Sequence, residues 1–153
     1  MNYSTVETLI NKIDERLLIQ YVNDEGRPAA DIDLTDEEDA CVLRINQACK
    51  EVTEEIESYL RGRYKLPLSS VPSIIQTISD DRVIYSLKKR RFRDSFSDSE
   101  QKIFNDSTKQ LQQIQTGNIL LDAAPVNEDA GAGQIFTNKK TKSKFSILLD
   151  KYE

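Results

Sequence analysis

The stretch TDEEDACVLRINQACKEVTEEIESYLRGRYKLPL, Thr35 to Leu68, decides how the chain folds. Thr35 followed three residues on by Glu38 is the pattern of a capping box, in which a hydroxyl and a carboxylate satisfy the first free N–H groups of a helix. Val42, Ile45, Cys49, Val52, Ile56 and Tyr59 then recur at alternating steps of three and four, which places them on one helical stripe opposite an acid-rich face. Gly62 can supply a left-handed turn that stops the helix. Beyond it, Tyr64, Leu66 and Leu68 around Pro67 carry apolar groups along an extended exit. Nothing in this stretch is a reacting group; it reads as architecture.

Working outward, Ser4 with Glu7 repeats the capping-box pattern ahead of Val6, Leu9, Ile10 and Ile13. Asp14 is placed to cap a second short helix carrying Leu17, Leu18, Tyr21 and Val22, which gives way to the turn composition Asn23-Asp24-Glu25-Gly26. In the loop that follows, Asp31-x-Asp33 resembles the opening of a calcium loop. The register fails, because Asp36 stands where that loop needs Gly and Val42 where it needs a bidentate Glu.

After the central stretch, Val71-Pro72 suits a helix start. On the helix that follows, Val71, Ile74, Ile75, Ile78, Tyr85 and Phe92 share one face, with Val83, Ile84 and Leu87 on roughly the other. A helix apolar on two sides is either buried between neighbours or offers a patch to another subunit. Its end carries Lys88-Lys89-Arg90-Arg91-x-Arg93, the densest charge run in the chain. Cations there are favourable against the helix dipole. Beyond that, the run suits an inter-subunit contact with an acidic face, or alternatively nucleic acid. Ser97 with Glu100 opens a last helix through Ile103, Phe104, Leu111 and Ile114 to Gly117.

The expected architecture is therefore all-α: a small antiparallel helical bundle around one long central helix, with an extended C-terminal tail. Residues 1–121 form the helical domain and 122–134, rich in Ala, Pro, Gly and acid, form a linker. Residues 135–153 form a docking tail through Ile135, Phe136, Phe145, Ile147, Leu148 and Leu149, which flank a lysine-rich middle.

With 153 residues, 38% of them hydrophobic, no Trp and 31% charged, one domain with a modest core is expected, and assembly can supply further stability. Cys41 and Cys49 lie about 12 Å apart along one helix and cannot bridge within it. No His and no C-x-x-C argue against zinc, and no catalytic, metal or cofactor site is expected. Absence of His also removes the commonest general base, while Asp80 and Asp81 are adjacent on a helix and point apart, so no enzyme is expected. Without a leader or an apolar run long enough to span a bilayer, the cytoplasm is the expected compartment. A net charge of -5 weighs against autonomous nucleic-acid binding.

The order of features resembles the head-tail connector (neck) proteins of Mu-like phages and prophages. The resemblance is carried by Tyr3 with TVETLI, by EIESYLRGRYKLPL from Glu55 to Leu68, by KKRR after Tyr85-Ser86-Leu87, and by IFT at Ile135 to Thr137. Its most specific element runs from Ile56 to Leu68, with Tyr59, Leu60, Gly62, Arg63, Tyr64, Leu66, Pro67 and Leu68 as a structural motif. The resemblance implies a virion structural protein, made in the bacterial host cytoplasm and placed in the virion neck. It implies a ring of copies meeting portal or tail proteins around a channel for DNA that passes without sequence-specific binding, and no membrane. A ring of about a dozen copies at -5 each would carry about -60, a field that keeps passing DNA from adhering. Within that picture Val83, Ile84, Leu87, Lys88, Lys89, Arg90, Arg91 and Arg93 are the expected contacts to other chains.

Overall fold

A computed structural model describes residues 1–93 and 95–126, and the docking tail expected at 135–153 lies outside them. Among the described residues five α-helices follow one another: α1 (Val6–Ile10), α2 (Glu15–Val22), α3 (Ala40–Leu60), α4 (Ser73–Phe92) and α5 (Asp98–Thr116), with a single 3-10 turn at Ala29–Asp31. Among the described residues there is no strand, only one isolated backbone bridge between Tyr64 and Pro125. The all-α expectation holds.

Helix α3 is the axis, and α4 and α5 pack on it and on each other, with α1 and α2 laid across α3 and α4. Contact order along the helices gives their directions. Arg82 of α4 reaches Glu55 of α3, whereas Arg44 and Arg90, at the opposite ends, meet at Asp24. Likewise Arg82 bonds Thr108 and Lys88 bonds Glu100. Residue numbers rise along one helix as they fall along its neighbour, so α3, α4 and α5 form an antiparallel set.

The stripe Val42, Ile45, Cys49, Val52 and Ile56 is buried as its spacing requires, with Tyr59 partly buried at its edge. Helix α4 is buried on two sides, with Ile75, Ile78, Val83 and Leu87 inside. Its breadth of apolar surface is what a helix between α3, α5 and the N-terminal pair needs.

Three helix ends differ from the sequence reading. Helix α3 begins at Ala40, not near Thr35: Asp39 is the cap, accepting the Cys41 N–H at 2.8 Å and the Arg27 guanidinium at 2.6 Å. The Thr35 N–H and hydroxyl instead go to Asp33, in a turn that lets Ile32 and Leu34 enter the core. Helix α1 is capped by Thr5 and Thr8 rather than Ser4 and Glu7, because Ser4 is buried and bonded to the Ser79 hydroxyl at 2.6 Å. Gly62 does not take the left-handed conformation. Helix α3 ends instead with the Arg63 and Tyr64 N–H groups both closing on the Leu60 carbonyl, which turns Tyr64 inward. The Asp14 cap, the Ser97/Glu100 box and the left-handed Gly117 match expectation.

The linker expected from residue 122 is tied down at its start. Lys65 N–H donates to Ala124 and Val126 N–H to Arg63, both at 2.9 Å, while Leu121 N–H donates to the buried Tyr64 hydroxyl. The RGRYKLPL motif is thus the seat on which the chain leaving α5 is paired.

Candidate functional site

The polar side of α4 links the fold together. Arg82 is only 3% exposed, and its guanidinium donates to Glu55, to Ser107 at 3.1 Å and to Thr108 at 2.9 Å, with its cationic centre 4.5 Å from the centroid of the Phe104 ring. One side chain thereby joins three helices. A desolvated cation is tolerated only when a counter-charge and donors' partners are all supplied, as they are here. On the N-terminal side, the buried Asp80 accepts from the Thr8 hydroxyl at 2.8 Å, and Asp81 takes Lys12 at 2.6 Å. Tyr3 donates to Glu57, and burial together with that carboxylate pushes its hydroxyl pKa up. No buried side-chain polar atom among the described residues lacks a partner.

The basic end of α4 is the surface expected to meet other chains, and most of its charges have partners within the chain. Arg90 holds both Asp24 oxygens, at 2.7 and 2.9 Å, and the Tyr21 carbonyl. Arg91 and Arg44 converge on the same carboxylate. The hydrogen bond from Arg90, with the three positive charges around it, holds the Asp24 carboxyl below its usual range. Lys88 pairs with Glu100 at 2.5 Å. Beside it, Tyr85 stacks on Phe96 and Phe104 at 4.4 and 4.2 Å between centroids, closing the junction of α4 and α5. Lys89 and Arg93 remain exposed around Ser86.

Of the residues expected to meet other chains, Val83 and Leu87 are therefore not available: both are buried in the domain's own core. Ile84 is partly buried and lines a cleft with Tyr85, Lys88, Phe96 and Ile103. Sequence reasoning missed Asp24 as the anchor of the basic run. It reads locally as one more turn residue, and its partners are 66 and 67 positions away. Arg82 was equally invisible, since nothing in a helical wheel says that a lone Arg beside an apolar face will be enclosed.

In the structural motif, Leu60, Tyr64 and Leu68 are buried, with Tyr59 and Leu66 packed against the core. The Arg63 guanidinium lies so close over Gly117 that a Cβ there would sit 2.2 Å from it. The expected tail contacts, Ile135, Phe136, Phe145, Ile147, Leu148 and Leu149, lie outside the described residues.

Fold and site together define a small all-α domain cross-braced by charged side chains. Within that class, the chain belongs to the Bacteriophage Mu Gp36 family, which it matches over residues 3–137. It is similar to the Mu-like prophage FluMu protein gp36 of Haemophilus influenzae, 28% identical over 85 residues. That alignment covers 56% of this chain and 57% of the relative, so it spans little more than half of either. The chain is thus a Mu-like phage family protein, and no helix among its described residues is long and apolar enough to cross a membrane.

Proposed function

We propose that the protein is a virion structural component of the head-tail neck, forming or joining a ring between portal and tail, and that it binds other proteins and catalyses nothing. The observation that carries this reading is the family match over residues 3–137. The geometry supports an architectural role. The polar groups that a catalytic reading would need are already engaged in bracing: Ser79 with Ser4, Asp80 with Thr8, Asp81 with Lys12.

The rival reading, a nucleic-acid-binding protein using Lys88 to Arg93, is disfavoured by the same geometry. Duplex binding relies on cations free to replace the counterions of phosphate. Lys88 is paired with Glu100, and Arg90 and Arg91 are turned onto the one Asp24 carboxylate that they share with Arg44, which leaves Lys89 and Arg93 as too small a surface of unengaged cations. Electron microscopy and native mass spectrometry of the purified chain, with immunogold labelling of virions from the induced prophage, test the proposal. Annular particles and label at the neck are expected. A monomer that shifts duplex DNA, with binding that falls steeply with salt, would replace it with the rival.

A further inference from the structure

A groove of about 820 Å³ lies on the N-terminal half of the domain, between α1, the 32–37 loop and the start of α3. Its floor is apolar, formed by Val6 and Ile10 of α1 with the buried Ile32, Leu34 and Val42. Its rim carries four exposed carboxylates, Glu7, Glu15, Asp33 and Glu37, and no cation among the described residues lines it. An apolar trough with a single-sign rim fits a segment that is apolar and cationic at once. The sequence holds one such segment: Lys139, Lys140, Lys142 and Lys144 fall within six positions, between Ile135-Phe136 and Phe145-Ser-Ile-Leu-Leu. In the other dense cationic run, on α4, Lys88, Arg90 and Arg91 are already paired internally.

Length bears on whose segment it is. The described chain ends at Val126, bonded to Arg63 beyond the C-terminal end of α3. The groove runs along α3 from Asn46 to Val42, about 21 to 27 Å back along that helix at 1.5 Å per residue. Nine steps from residue 126 to residue 135 reach at most about 31 Å fully extended, and a Gly-rich chain of that length typically spans about 17 Å. Reaching even the near edge of its own groove would stretch the connection beyond that typical span, whereas a neighbouring copy can present its groove nearer.

We propose that segment 135–149 of one copy docks in the groove between α1 and the Ile32–Glu37 loop of the next copy. Tail and groove are different patches, so the contact is heterologous and propagates from copy to copy, as a ring requires. The proposal deepens the assembly reading above and rests on it.

The test uses full-length chains. Glu7→Lys with Glu37→Lys reverses the rim at two exposed positions, and Lys140→Glu with Lys142→Glu reverses the tail. Self-association is measured by sedimentation at low salt, with melting curves confirming that each variant stays folded. Each variant alone should associate about tenfold more weakly than wild type, and an equimolar mixture of the two should recover wild-type association, because opposite charges then meet only between unlike chains. Carbodiimide coupling of mixed light and heavy wild-type chains should join Lys139 to Lys144 with Glu7 or Glu37 in mixed-isotope pairs. Wild-type association by both variants, or failure of the mixture to recover, overturns the docking while leaving assembly standing. Same-isotope pairs alone mean that the tail folds onto its own domain and overturn the proposal. A wild-type chain that stays monomeric throughout overturns the docking and, with it, the reading that this chain forms a ring by itself.

Discussion

Arg82 is the residue on which the packing of α3, α4 and α5 depends most. Arg82→Ala should cost about 3 kcal/mol, because it removes a buried charge-assisted network and the contact with Phe104 together. Glu55→Gln should cost less, about 1–2 kcal/mol, because it strips the enclosed Arg82 of its counter-charge but keeps an amide oxygen to accept one of its N–H groups, on a side open to water. Denaturant unfolding of the two variants measures the difference, and equal losses would mean that Arg82 acts only as half of an ion pair. Asp39 gives a pH dependence. The hydrogen bond from Arg27 and the N–H of Cys41 lower its pKa to about 2. A depressed carboxylate contributes stability that is fully present above its unfolded value of about 3.9 and is lost as pH falls through the folded one. The melting-temperature gap between wild type and Asp39→Asn should therefore be constant above pH 5 and close between pH 4 and 2; a gap unchanged at pH 2 would refute the assignment. The thiols are inert by burial, which raises both and pushes Cys49 up to about 12.

At the scale of elements, two glycines that follow helices have opposite roles. Gly117 ends α5 at φ 85° and sits under the Arg63 guanidinium, so it is required both for its backbone conformation and for its missing side chain. Gly62 has neither requirement, with open space where a Cβ would stand. Gly117→Ala should destabilise by about 1–2 kcal/mol, while Gly62→Ala should be neutral or stabilise by up to about 1 kcal/mol through the unfolded chain. Thermal melts of the pair check this, and a larger loss at Gly62 would mean that α3 does end in a left-handed turn. The capping residues were legible in sequence only where tertiary structure made no other use of them. Ser97 was free to cap α5; Ser4, with the same local pattern, was taken into the core by Ser79.

For the whole molecule, the pairing of residues 121–126 with the exit from α3 moves the edge of the domain. At concentrations where the full-length protein is monomeric, a chain ending at Val126 should melt as it does, whereas one ending at Leu120 loses the Leu121 contact with Tyr64 and both bridge hydrogen bonds and should melt several degrees lower. If both shortened chains melt alike, the bridge contributes nothing to stability. Ile56→Asp, which puts an unpaired carboxylate in the core, should leave the chain unfolded at room temperature by circular dichroism.

The sequence by itself determined the helices, the buried stripe of α3 and the family, because periodicity and the Ile56-to-Leu68 motif are local and survive without knowing any neighbour. It also located the basic run and the lysine-rich segment as separate charge features. Tertiary structure alone decided what those charges meet: Asp24 answers Arg90, Glu55 answers Arg82, and Val83 and Leu87 turn inward because α4 is enclosed on two sides. The reason is physical. A helix's period is fixed by its own backbone, but whether a side chain faces water, a counter-charge or the core depends on which distant segment packs beside it.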